Sequence, residues 1–279
     1  MDICVLGPGG ATMNASLRRV GRFLAPLAIS MGLLFALWYL FLAAFPQVGP
    51  RVGKSPTDVW SYLYGGPASH TARANLLENL QITLRDATIG FVAGIGAALI
   101  VSALFVLFST LEQTLLPIAV LLRSVPLVAM TPIIVLVFGR GVAAAAVMAG
   151  IVVIFPALVM IMTGLREAPR QAQELVEAYG GNRWSALRMV AIPSALPSVF
   201  AAARISVPGA LIGALIGEWL GSGEGLGSSL IKAIPRYQYN ELWASVAVVT
   251  IVSIVFYAVV GVLENLVLAR FGPDAGRSS

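Results

Sequence analysis

The chain has 279 residues, of which 58% are hydrophobic and 11% charged, and its mean hydropathy of +0.88 lies far above that of a water-soluble domain. This composition excludes a soluble globular domain, and the net charge of +5 does not indicate nucleic acid, because the Lys and Arg are scattered between apolar runs without a basic stripe or interleaved aromatics. The single cysteine, Cys4, excludes an intramolecular disulfide and any cysteine-based metal site.

A crossing needs roughly 20 apolar residues. The hydropathy pattern predicts about six, giving an all-α integral membrane protein with one membrane domain. Residues 1–22 form a tail whose Arg18, Arg19 and Arg22 precede the first apolar run, "FLAPLAISMGLLFALWYLFLAAF" at 23–45. That run is too long for a signal-peptide core and is expected to stay as a membrane anchor. The proline-rich stretch that follows reads as a loop with a short amphipathic helix at "PTDVWSYLY", so residues 23–79 comprise the first span and an external loop. His70 lies in this loop with no second ligand candidate nearby, so no metal site is expected.

The core is expected at 80–269, with spans at 80–108, 115–138, 142–165, 197–220 and 242–269, and a tail at 270–279. Lys and Arg bias the orientation: nine (Arg18, Arg19, Arg22, Arg166, Arg170, Arg183, Arg188, Arg270, Arg277) fall on the face shared by the termini and six (Arg51, Lys54, Arg73, Arg140, Lys232, Arg236) on the other. Both termini are therefore expected in the cytoplasm. Of the ionisable residues within predicted spans, three are candidates for the translocation path: Arg123, midway along the third, and Arg204 and Glu218, near opposite ends of the fifth. The competing reading is interfacial snorkelling or an internal ion pair for Arg204 and Glu218, and a structural pairing for Arg123. Along the fifth span Gly209, Gly213, Gly217 and Gly221 recur every fourth residue, a small-residue ridge suited to close helix packing within one subunit or between two.

Between the fourth and fifth spans lies the polar stretch "QELVEAYGGNRWSALRMVAIPSALP". Residues 171–179 predict a short helix ended by Gly180 and Gly181, with Asn182 capping a second helix that Pro193 closes. Trp184, Leu187 and Val190 give that second helix an apolar stripe, which needs the bundle or a partner to cover it.

This stretch resembles the cytoplasmic E-A-A-x3-G-x9-I-x-L-P loop of permease subunits of ATP-binding-cassette importers, with Glu174, Gly180 and Pro193 at the glutamate, glycine and final proline. Leu175, Val176, Val190 and Ile192 depart from the pattern as apolar-for-apolar changes. The blocks "GGNRWSALRMVAIPSALPSVFAAARI", "LLRSVPLVAMTPIIVLVFG" and "GEGLGSSLIKA" are similar to the nitrate, sulfonate, taurine and bicarbonate branch of those permeases. The resemblance implies the type I importer permease arrangement. It also implies an ATPase-coupling loop at about 168–193 that includes Glu174, Glu177, Gly180, Gly181, Arg183, Trp184 and Pro193.

The implied partners are ABC ATPase subunits, an external substrate-binding protein and a second copy of the permease, all at the plasma or inner membrane. The implied cargo is a small anion such as nitrate, a sulfonate or taurine, with a pyrimidine precursor or aromatic acid as the alternative. No cofactor is expected. The sequence has no G-x-x-x-x-G-K-[ST] phosphate loop, so ATP is expected to be bound and hydrolysed by the partner. A channel would need repeated pore-lining polar segments and an intramembrane enzyme would need paired catalytic groups in the spans; neither pattern is present.

Overall fold

A computed structural model describes residue 29, residues 32–45 and residues 49–271. Among them the regular elements are all helices: α1 (Gly32–Ala44), α2 (Gly49–Val52), α3 (Pro56–Tyr64), α4 (Ser69–Leu107), α5 (Ser109–Arg123), α6 (Leu127–Phe138), α7 (Val142–Arg166), α8 (Arg170–Ala178), α9 (Arg183–Ala186), α10 (Ile192–Gly217), α11 (Gly225–Ala233) and α12 (Tyr239–Phe271). In hydrocarbon every backbone N–H and C=O must be satisfied within the protein, and helices do this segment by segment. Among the described residues, four stretches are long and apolar enough to cross a membrane: Ser69–Leu107, Val142–Arg166, Arg183–Ser222 and Tyr239–Arg270. Part of the expected first span, the N-terminal tail and residues 272–279 lie outside the described residues, while Arg270 and Phe271 of the expected C-terminal tail end α12.

The third predicted span is not one rod. Its two halves, α5 and α6, meet at 106°, and neither, at 15 and 12 residues, is long enough to cross alone. The cause is local: the ring of Pro126 disfavours helical geometry at the residue before it, so α5 ends and α6 restarts with Pro126 in extended conformation at its N-cap. The second span also differs from expectation, because α4 begins at Ser69, well before residue 80. His70 accordingly stands in the first turn of α4.

At the centre, α7 is clasped between α4 and α10. Its sequence alternates Ala and Gly with larger residues, and Ala145, Ala149, Val153, Ala157 and Ile161, one turn apart, are all fully buried. Small residues allow close approach where no hydrophobic effect separates protein from lipid. The glycine ridge of α10 uses this closeness: a Cβ at Gly213 would sit 2.6 Å from the Ala149 Cα, and one at Gly217 would sit 2.5 Å from the Ala145 Cα. In this chain the ridge faces α7. A second cluster, including Phe105, Leu158, Ile161, Leu165 and Leu187, fills the end of the bundle from which α8 emerges.

The opposite end is fixed by aromatics. Trp38 of α1 stacks on Trp243 of α12 with ring centroids 5.4 Å apart. The two indole N–H groups donate to the carbonyls of Lys54 and Val52 at 3.0 and 2.9 Å. Amphipathic rings of this kind suit a membrane–water boundary. The predicted helix "PTDVWSYLY" is α3, started by a capping box in which Ser55 and Asp58 satisfy each other's backbone N–H.

Candidate functional site

Helix α8 has no buried residue, so it is held by its ends and not by a core. Its C-terminus is a complete Schellman motif: Gly181 N–H donates to the Val176 carbonyl and Gly180 N–H to that of Glu177, both at 2.9 Å. Gly180 takes the left-handed conformation this requires, with φ +83°, and a Cβ there would meet nothing within 4 Å. Asn182 then caps α9 by accepting from the Ser185 backbone N–H at 2.9 Å. The turn expected from the Gly-Gly-Asn sequence is thus present in detail.

The apolar stripe of the second helix divides between two environments. Leu187 is buried and Val190 packs against the core cluster, whereas Trp184 is 56% exposed. On α8 and at its C-cap, Leu175 and Tyr179, one turn apart, are likewise 58% and 86% exposed, and Glu174 is exposed too. Glu177 and Arg183 instead line a cleft of about 190 Å³ between the hairpin and the ends of α4 and α7, walled by Leu107, Leu165 and Leu187. An ion pair between Arg166 and Glu112 ties the start of the hairpin to α5.

One expectation about this loop is corrected. Pro193 does not close the second helix, because Arg183–Ser222 runs without interruption. A π-helical segment, Leu187–Ala191, is separated from the proline by one residue, Ile192, whose N–H donates to the Leu187 carbonyl. The widened turn absorbs the missing donor and the ring of Pro193, so the chain need not break. The hairpin is therefore continuous with a membrane-crossing helix, and movement at α9 acts on one rod.

The three ionisable candidates occupy different surroundings. Arg123 ends α5 at the bend between the two halves of the third span and is exposed. Arg204 donates to Glu264 Oε2 at 2.8 Å and to the Tyr257 hydroxyl at 3.0 Å, with its guanidinium 4.8 Å from the Tyr257 ring centre. This cluster joins α10 to α12. Glu218 has no exposed surface at all. Its Oε2 accepts from Thr83 Oγ1 at 2.9 Å and from the Gly227 N–H at 2.8 Å.

Sequence reasoning missed Thr83 and Asp86, both fully buried on α4. Asp86 pairs with adjacent Arg85 at 3.0 Å. The available signal was "TLRDATIG", a charged pair within a helix otherwise bound for the membrane. Outside the spans, two groups titrate away from their ordinary values. Hydrogen bonds from the Ser55 backbone and side chain hold the Asp58 carboxyl below its usual range, and burial, then the charge of Glu241, pushes the Tyr62 phenol up.

The family model described as "Binding-protein-dependent transport system inner membrane component" matches residues 90–272. The chain is 34% identical over 239 residues to a Haemophilus influenzae protein named "Probable ABC transporter permease protein", covering 85% of this chain and 93% of that one. It is 29% identical over 238 residues to the formylaminopyrimidine transport permease protein ThiX of Halalkalibacterium halodurans, covering 83% and 93%. Among solved structures, an inward-facing form of the MetNI methionine ABC transporter matches with a TM-score of 0.58 at 23% identity, over 72% of this chain and 98% of that one.

Proposed function

We propose that this chain, which belongs to the family of binding-protein-dependent transport system inner membrane components, lines the path of a small polar organic solute and takes its driving force through the hairpin α8–α9. It is the permease subunit of an ATP-binding-cassette importer, a multi-pass membrane protein with no enzymatic activity of its own, and ATP is hydrolysed on a partner subunit.

The observation that carries the coupling role is the hairpin's construction. A segment stiffened by a Schellman turn and an Asn cap holds Glu174, Leu175, Tyr179 and Trp184 outside the bundle, yet is continuous with a helix of 40 residues. A rigid lever of this form transmits rotation of a docked ATPase to the spans, which is how alternating access is driven in such assemblies. Two copies of the chain form the path, an external binding protein delivers the solute, and both termini lie on the cytoplasmic side with the hairpin. The Lys and Arg bias supports that orientation. A reporter fused after Arg270 is expected to be active only in its cytoplasmic form; activity only as an external fusion overturns the topology.

For the cargo we favour a pyrimidine-type heterocycle, because a relative matched over 93% of its length carries formylaminopyrimidine in its name. Nitrate, sulfonates and taurine, implied by the resemblance of the hairpin region and of the blocks at 121–139 and 223–233, form the competing class. Uptake in a strain lacking this chain decides between them: loss of pyrimidine-precursor uptake alone supports the first reading, loss of sulfonate or nitrate uptake replaces it, and intact uptake of all of them overturns both cargo readings.

A further inference from the structure

Helix α11 lacks a cap of its own. Glu224 stands at its N-cap position without a side-chain hydrogen bond to the helix, although the first N–H groups of any helix need acceptors. They find them on two other helices: Leu226 N–H donates to Thr83 Oγ1 of α4 at 2.9 Å, and Gly227 N–H donates to Glu218 Oε2 at 2.8 Å. The Thr83 hydroxyl in turn lies 2.9 Å from the same carboxylate oxygen, nearer than the Asn79 carbonyl at 3.1 Å. The second and third N–H groups of α11 are the donors a local Ser or Asp cap would satisfy, and a carboxylate also complements the positive helix end.

The chain is shaped around this contact. A second π-helical segment, Glu218–Ser222, carries the glutamate. Gly225 is left-handed, with φ +81°, and a Cβ on it would lie 2.4 Å from the Glu218 carboxyl carbon. One on Gly227 would lie 2.1 Å from the Leu215 carbonyl. Beside the contact, α11 presents Ser228, Ser229 and Lys232 to a cleft of about 140 Å³ shared with Gly225, Asn79, Arg236 and Glu241.

We propose that Glu218 and Thr83 form a latch by which the placement of α4 against the long helix decides whether α11 is capped, so that α11 reports movement begun at the hairpin to the cleft at the opposite end. This rests on the permease reading given above. When α4 and the long helix slide past each other, the Leu226 N–H loses Thr83 as its acceptor and Glu218 loses its contact with the Thr83 hydroxyl, so the first turn of α11 is held by Glu218 alone and is loosened. Glu218 and Thr83 act as positioning residues and need not touch the solute.

The test uses Ser229→Cys in a Cys4→Ser chain, assembled with its ATPase in vesicles and probed with a membrane-impermeant maleimide. Ser229 is 9% exposed and donates to the Leu226 carbonyl, so it is protected while α11 is capped. Thr83→Val keeps the shape but removes the hydroxyl, and labelling is expected to rise roughly ten-fold while uptake per ATP hydrolysed falls. Thr83→Ser restores the hydroxyl. Glu218→Gln keeps an oxygen where both bonds converge. Both are expected to label at the parental rate. A Thr83→Val protein as protected as its parent overturns the latch, and so does a Glu218→Gln protein labelled as fast as Thr83→Val is expected to be, which keeps the test decisive should Thr83→Val fail to accumulate. Faster labelling with unchanged uptake per ATP overturns the coupling role. If the parent chain captures no ATPase, the permease reading fails, and the labelling comparison still judges the latch.

Discussion

The helix Arg183–Ser222 is flanked by two glycine turns built on opposite plans. Before it, Gly180 and Gly181 turn the chain within the hairpin, where a Cβ at Gly180 would meet open space and every capping bond is local. After it, Gly223 and Gly225 turn the chain around a carboxylate buried by α4, α10 and α11, and the capping bonds cross 143 and 9 positions of sequence. The first turn is assembled to stand outside the bundle and offer a surface. The second is assembled only when the bundle is. Damage at the first should therefore be read in partner binding, and damage at the second in folding or in the coupling of helices.

The largest effect is expected at the enclosed turn. Gly227→Leu places its Cβ against the Leu215 carbonyl, overpacking of a kind that typically costs about 1–3 kcal/mol and occasionally more. The protein should accumulate poorly or melt at distinctly lower temperature in a detergent-extract stability assay. Wild-type accumulation and melting would erase the contrast between the turns.

Gly180→Val comes next and should behave in the opposite manner. The left-handed backbone is strained by about 1–2 kcal/mol for a side chain other than Gly or Asn, yet nothing in the bundle is displaced, so membrane levels should stay normal. Co-purification of the ATPase and solute uptake should fall together, and Gly180→Asn should retain both. Normal accumulation with an intact ATPase complex and full uptake would make the hairpin a mere connector.

Glu174→Ala sharpens the same side of the comparison. If the carboxylate is buried at the docked surface, loss of a charge-assisted hydrogen bond weakens ATPase capture by roughly 1–3 kcal/mol, measurable as faster dissociation of the complex without change in the melting of the isolated chain.

A smaller effect is expected at the half-exposed cluster between the two turns. Arg204→Leu strands Glu264, and Glu264→Leu strands Arg204, so each single variant should melt lower than the double, which leaves no unpaired charge. A double variant less stable than either single would show that the pair does more than satisfy itself.

The smallest effect is at the capping box of α3. Because the Asp58 carboxyl is held below its ordinary 3.8, its contribution is present at neutral pH and is lost as the pH falls below that value. Ser55→Ala should therefore lower the melting temperature slightly at neutral pH, and the difference should shrink below about pH 4.

Local patterns were legible in the sequence. Hydropathy marks the long helices because a crossing has a fixed length, "PTDVWSYLY" carries its own start signal, and Gly-Gly-Asn specifies a turn closed within a few residues. The break at Pro126 was also written locally, in the residue preceding a proline, but an unbroken apolar run hid it. The continuity through Pro193 was not written there, since it depends on a π-turn that a sequence window does not reveal. Nor could the sequence assign the glycine ridge to α7, pair Arg204 with Glu264, or place Thr83 beneath Leu226. Helix existence and turn chemistry depend on neighbours along the chain and on the thickness of the bilayer, so the sequence determines them. The partner of a buried charge depends on which helices lie side by side, and only tertiary packing decides that, because in lipid it is close backbone approach and polar satisfaction, not hydrophobicity, that choose the neighbour.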